Sequence, residues 1–204
     1  MFKSGSIGID FDQTLADSKK GIFRCLKKLC IDYDICASDY ELKKLAVSGL
    51  TLDSILRKLR KSENIEDLKL KFMELYPSIG VPGTRLLAGA KDLVDYLNKN
   101  GHTLILISAK NQINLELSVE HLELKFDAIF GGVSGEEKAK TMIENRTYLY
   151  IGDQYSDVSA AVSAQALAVL VRDQPLSLDL NIHPHLYFKN LVELLEVMPD
   201  LIKT

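Results

Sequence analysis

The sequence predicts an α/β protein, a doubly wound parallel sheet with a helical domain inserted after the first strand. Three observations lead there. Short apolar runs of strand length recur along the 204-residue chain. Helical stripes of apolar residues lie between most of them. One long stretch near the start carries such stripes but no convincing strand. Strands that alternate with helices make parallel βαβ units, and strands buried on both faces read as nearly unbroken apolar runs.

The first strand is Ser6-Ile7-Gly8-Ile9, a run that stops abruptly at Asp10-Phe11-Asp12. About ninety residues follow before the next run. Within them lie three stripes: Ile22, Cys25, Leu26, Leu29, Cys30; then Leu52, Ile55, Leu56, Leu59; then Ile65, Leu68, Phe72, Leu75. Steps of three and four residues keep these side chains on one helix face. Pro77, Gly80, Pro82 and Gly83 then read as a linker. Residues 17–81 are therefore expected to form an inserted helical domain, and residues 1–16 and 82–204 the α/β core. Ala90, Leu93, Val94 and Leu97 open the core helices, with Gly101 as a C-cap residue. Runs at 104–107, 128–130, 148–151 and 167–171 supply the later strands. Val158, Ala161 and Val162 begin another helical stripe, and Leu191, Leu194 and Leu195 make the last.

Composition bounds the partners. The chain is 47% hydrophobic and 26% charged, as expected of a globular domain and not of a disordered chain. A net charge of −3 argues against a nucleic-acid binder, which needs a basic footprint. No apolar run approaches the roughly 20 residues that span a bilayer. The opening residues show no secretory signal, and Cys25, Cys30 and Cys36 are odd in number and lack a C-x-x-C. They read as reduced thiols of a cytoplasmic protein. His102, His121, His183 and His185 show no ligand-like grouping with acids.

Chemistry concentrates at the ends of the apolar runs, where open parallel sheets bind ligands. Asp10-Phe11-Asp12-Gln13-Thr14 follows the first run. One carboxylate there can attack phosphorus, and another can protonate the leaving oxygen and then deprotonate water. The plainer reading is a turn, in which Asp and Thr are common caps. A second acidic pair, Asp153 and Asp157, follows Ile151-Gly152. Converging carboxylates repel unless a cation sits among them, and Mg²⁺ takes oxygen ligands. Ser108 ends the run at 104–107, and a lysine stands within Glu136-Glu137-Lys138-Ala139-Lys140. A hydroxyl can donate to a phosphoryl oxygen, and a lysine can neutralise charge during transfer. Lys138 suits a helix start, leaving Met142 and Ile143 to pack inward, with Lys140 the alternative.

Taken in order, these pieces resemble the motifs of the haloacid dehalogenase-like (HAD) hydrolase superfamily over nearly the whole chain. D-x-D-x-T corresponds to Asp10, Asp12 and Thr14, and G-D-x-x-x-D to Gly152, Asp153 and Asp157. Between them fall Ser108 and the motif-three lysine. The stretch DFDQTLADS is similar to that of phosphoglycolate phosphatase-like members, and the segment from Gly49 to Leu56 resembles part of their helical cap. Gln13 replaces a usual Gly, Thr51 a frequent Pro, and Gln165-Ala166 a common Ala-Gly turn. The resemblance implies a HAD-like Rossmannoid core with a helical C1 cap over residues 17–81. About twenty residues separate Phe130 from Tyr148, which leaves no room for the larger second cap type.

An acid at position 12 marks the phosphatases and phosphomutases of the superfamily. The resemblance therefore implies phosphoryl transfer from a small phosphorylated metabolite. Asp10 would be the nucleophile, Asp12 the acid then base, and Lys138 the neutralising cation. Thr14, Ser108 and Ala109 would hold the phosphoryl group. Mg²⁺ would be held by the Asp10 carboxylate, the Asp12 carbonyl and Asp153, with Asp157 behind them. A sugar phosphomutase uses the same set, and a non-catalytic binding module would be expected to lose one of these acids. Residues 17–81 hold 13 Lys or Arg against 10 Asp or Glu, which suggests a positive lid over an acidic mouth.

Overall fold

The computed structural model describes residues 5–48, 50–60, 64–174 and 182–202. Gly49, which opens the cap-like segment, and residues 1–4 at the start of the core lie outside them.

Six strands form one parallel sheet: β1 (Ser6–Ile9), β4 (Thr103–Ser108), β5 (Ala128–Gly131), β6 (Thr147–Gly152), β7 (Leu167–Val171) and β8 (Leu186–Phe188). Their order is β5-β4-β1-β6-β7-β8, so the first strand lies at the centre, hydrogen-bonded to β4 and β6. The strand period of two divides their side chains between two cores. Leu104 and Leu106, with Ile7, Ile9, Leu149 and Ile151, pack under α5 (Ala90–Lys99), α6 (Gln112–His121) and α9 (Leu191–Ile202). Ile105, Ile107, Tyr150 and Leu170 pack on the other face under α7 (Glu136–Glu144) and α8 (Tyr155–Ser163). Gly8 has no side chain because the Tyr150 ring fills that space; an added Cβ would lie 2.6 Å from it.

Between β1 and β4 the chain makes α1 (Lys19–Asp32), α2 (Asp39–Ala46), α3 (Leu52–Arg60) and α4 (Glu66–Leu75). These helices bury their own cluster of Cys25, Leu26, Leu29, Leu42, Leu56, Leu68 and Phe72. Each buried Leu or Phe contributes about 1.5–3 kcal/mol relative to exposure. Ser38 and Glu41 cap α2 reciprocally. Cys25 and Cys30 are buried in this cluster and Cys36 is exposed; all three are free thiols.

The structure departs from the sequence reading in four places. The Pro-Gly segment is wound, as a π-helical turn Tyr76–Gly80 and a 3₁₀ turn Val81–Gly83 packed on α1. Missing Cβ atoms allow that approach, since one on Gly21 would meet the Gly80 carbonyl oxygen at 2.2 Å. The insertion is entered and left through a short antiparallel pair, β2 (Ala16–Asp17) and β3 (Arg85–Leu86). β8 adds a three-residue edge strand. Finally, Met142 is buried but Ile143 is 58% exposed, because the inward stripe of α7 runs through Lys138, Ala139 and Met142. Among the described residues no helix is long and apolar enough to cross a membrane.

Candidate active site

Because β4, β1 and β6 are neighbours, the residues at their carboxyl ends stand side by side. Ser108 ends β4, Asp10 follows β1, and Asp153 follows β6. All three are buried. Lys138 reaches in from α7 and Asp157 from the first turn of α8.

Lys138 organises the acids. Its ammonium donates to Asp10 Oδ1 at 2.9 Å and to Asp157 Oδ1 at 2.6 Å. The other Asp157 oxygen accepts the Gln154 backbone N–H at 2.9 Å. Gly152 is required here, because a Cβ would lie 2.4 Å from that of Asp157. Lys140, by contrast, is 64% exposed and lies 3.9 Å from Glu144. Thr14 is fully buried between Asp10 and Asp153, its hydroxyl 3.5 and 3.4 Å from their oxygens. It does not line the cavity that holds Asp10 and Ser108 but an adjoining one, with Gln13 and Asp153.

Asp12 points away from that group. Its carboxylate accepts the Ser18 hydroxyl at Oδ1 and lies 3.1 Å from the Lys110 ammonium at Oδ2. Lys110 also donates to the Tyr76 hydroxyl at 2.7 Å and sits 4.6 Å from the centre of that ring. A core lysine thus ties Asp12 to the helical insertion. Sequence reasoning missed Lys110, because a lysine two residues past a strand looks like an ordinary loop residue. Sequence reasoning gives Tyr76 and Ser18 no role either. The one available signal was the nearness of Lys110 to Ser108 and of Ser18 to Thr14, and Tyr76 had none. Gln13, on the loop from Asp12, has φ +68, a left-handed conformation that favours glycine. That explains why the motif usually carries Gly there.

Electrostatics follow from burial. Asp10 is pushed up to about 7 by desolvation, reinforced by Asp157 and Asp12 and opposed by Lys138. Asp153 is pushed up to about 8 by burial, with Asp10 and Asp157 adding to it. For Lys138, burial acts downward, but Asp10, Tyr150 and Asp157 outweigh it and hold the ammonium charged. Lys110 behaves likewise, held up by Asp12 and Tyr76.

Asp10, Asp153 and Asp157 bring carboxylate oxygens within 4.8 Å of one another. Ionised, they carry three negative charges against one from Lys138, while Asp12 and Lys110 cancel. The surplus and the all-oxygen donor set fit a hard divalent cation such as Mg²⁺. Asp12 could join only through its main chain, since its carboxylate is engaged elsewhere.

A cavity of about 280 Å³ opens over the site. Its floor includes Asp10, Asp12, Ser108, Ala109, Lys110, Lys138 and Asp153, and its roof comes from the helical insertion. Gln13 and Thr51, two of the departures from the motif pattern, both line it.

The sequence profile of the haloacid dehalogenase-like hydrolases matches residues 7–171. The chain belongs to this family. Structures of other HAD hydrolases share its fold. One is a haloacid dehalogenase-like hydrolase from Streptococcus pneumoniae, with a TM-score of 0.79 at 19% identity, covering 95% of this chain and 98% of that one. Another, described as a predicted phosphoglycolate phosphatase, comes from Haemophilus somnus. Its TM-score is 0.76 at 19% identity, over 97% of this chain and 99% of that one. A third is the HAD hydrolase YfnB of Bacillus subtilis, bound to magnesium. It has a TM-score of 0.73 at 18% identity, covering 96% of this chain and 99% of that one. No curated protein matches the chain by sequence.

Proposed function

We propose that this HAD hydrolase is a Mg²⁺-dependent phosphatase that cleaves a small phosphate monoester through an aspartyl-phosphate on Asp10. The observation that carries the reading is the buried trio Asp10, Asp153 and Asp157 around Lys138, with Asp12 held separately at the cavity. Magnesium bound to the B. subtilis relative supports the choice of ion.

The Asp10 carboxylate attacks phosphorus, forming an acyl-phosphate bond as the ester P–O bond breaks. Asp12, fixed by Ser18 and Lys110, relays a proton from the phosphate monoanion to the leaving oxygen and then takes one from the water that attacks phosphorus. That second attack frees phosphate and restores Asp10. Ser108 and the Ala109 backbone hold phosphoryl oxygens, Thr14 supports the two carboxylates, and Lys138 neutralises charge as it develops. Asp10, the Asp12 carbonyl and Asp153, with Asp157 behind them, would hold Mg²⁺, which would supply further neutralisation of charge on the phosphoryl group. The helical insertion, residues 17–81, acts as a cap that shapes the leaving-group pocket and limits access of water.

The test is a phosphate-release assay on aryl, alkyl and hexose phosphates, with and without EDTA. Net phosphate release that EDTA abolishes is expected, with no activation by a sugar bisphosphate. Interconversion of hexose phosphates with little free phosphate would make the protein a mutase instead.

A further inference from the structure

The roof of the cavity is mainly apolar, and among the described residues no cation lining it is left without an acidic partner. The insertion contributes Ile22, Leu45, Val47, Leu52, Ile55 and Phe72 to the cavity, and none of its described lining residues is charged. Its positive excess lies elsewhere. Lys27, Lys28, Arg60, Lys69 and Lys71 each pair with an acid of the insertion, outside the cavity. Among the described residues, the positive excess of the lid therefore does not reach the wall of this cavity, although Lys19 lines an adjoining one with Gln13, Thr14 and Asp153. Among the described residues, the two cations that line the cavity are both matched, Lys138 by Asp10 and Asp157, and Lys110 by Asp12.

Polar groups on the roof are occupied as well. Thr51 Oγ1 donates to Ser54 Oγ at 3.0 Å and accepts the Ser54 backbone N–H, and the Tyr76 hydroxyl receives Lys110. Asn114 differs. It is 2% exposed, it lines the cavity, and among the described residues its side-chain amide has no hydrogen-bond partner. A polar group of a ligand entering the cavity can bond to this amide.

Resting on the phosphatase reading for the phosphoryl end, we propose that the leaving group is an uncharged, mainly apolar alcohol or phenol. A polar group on it can meet Asn114, or the Ser134 and Ser156 hydroxyls that also line the cavity. A second anionic group, such as a carboxylate or another phosphate, would enter the cavity without an unpaired cation to meet it, and a polyhydroxylated sugar would lose hydrogen bonds to water against the apolar roof. An alkyl or aryl group instead gains from each methylene buried, roughly two- to fourfold in affinity.

Calorimetry with non-hydrolysable n-alkylphosphonates from ethyl to octyl, on the full chain with Mg²⁺, tests this independently of turnover. The expected result is a Kd that falls two- to fourfold per methylene until the cavity is full. The 2-carboxyethyl analogue should bind at least tenfold more weakly than the butyl one. Leu52→Gln, checked for folding by circular dichroism, should flatten the series. A Kd independent of chain length, or tighter binding of the carboxylated analogue, overturns the proposal. Hydrolysis of the matching alkyl phosphates is measured beside it. A rising affinity series without any phosphate release would leave the apolar pocket standing and remove the phosphatase reading, whereas release with a flat series does the reverse.

Discussion

Replacing Lys138 by Met removes the one cation among the three buried carboxylates while keeping much of the side-chain volume. Asp10 and Asp157, with side chains 9% and 3% exposed, would lose partners at 2.9 and 2.6 Å. Breaking a buried pair from one side costs about 3–5 kcal/mol, because the remaining charge is stranded. Here the loss is partly relieved. Asp157 keeps the Gln154 N–H, and Asp10, already at about 7 with the lysine present, can take up a proton. We expect a loss of about 3 kcal/mol at pH 7. The sign of its pH dependence follows from linkage. The folded variant holds protons on carboxylates that the unfolded chain has released. Its stability is therefore retained below the ordinary carboxylate range and lost as pH rises toward 8, by up to about 1.4 kcal/mol per unit and proton. Urea denaturation in EDTA at pH 5, 7 and 8 measures this, with Lys140→Met as control. The exposed Lys140, 3.9 Å from Glu144, should change stability by less than about 0.5 kcal/mol. A Lys138 variant within about 1 kcal/mol of wild type, or one that loses more at pH 5 than at pH 8, would refute this electrostatic picture.

Gly152→Ala should destabilise the protein by about 2 kcal/mol or more and cut kcat sharply, since its Cβ would overlap Asp157. Full activity and stability would mean Asp157 is not held as described. Lys110→Met leaves Asp12 with Ser18 alone and should lower kcat/KM about 10- to 100-fold while thermal stability changes much less. Unchanged kinetics would remove Lys110 from the positioning of Asp12. Because Asp10 and Asp153 are raised to about 7 and 8, a divalent cation must displace protons from them at neutral pH. Magnesium affinity measured by calorimetry should therefore rise from pH 6 to 8. A pH-independent affinity would contradict the arrangement.

Much of the fold was legible because burial on both faces leaves a plain mark. Leu104, Ile105, Leu106 and Ile107 can only be a strand whose faces both meet helices, and the structure divides them alternately between two cores. Asp10 and Asp153 stood out because each follows such a run directly, where a sheet leaves its carboxyl ends open. What stayed hidden depends on contacts between distant residues. Lys110 gains its role only through Tyr76 and Asp12, on other segments. Gly80 and Gly83 signal a break locally, yet a Cβ on Gly83 would meet the Gly21 backbone at 2.8 Å and one on Gly80 the Tyr76 ring at 2.4 Å. β2, β3 and β8 are too short and too partly buried to leave a pattern. A charge count reveals the positive excess of the insertion, but only the folded helices show that Lys27, Lys28, Arg60, Lys69 and Lys71 pair with its own acids and that none of its described cations lines the cavity over Asp10.

Asp10 is the group on which the proposed chemistry turns, and its replacement by Asn tests that chemistry most directly. The amide keeps the size of the carboxylate but cannot form an acyl-phosphate. Wild-type protein with Mg²⁺ should release phosphate from an aryl phosphate, and Asp10→Asn, shown folded by its urea transition, should be at least about a thousandfold slower. Near-wild-type kcat in the folded Asn variant would contradict nucleophilic catalysis by Asp10.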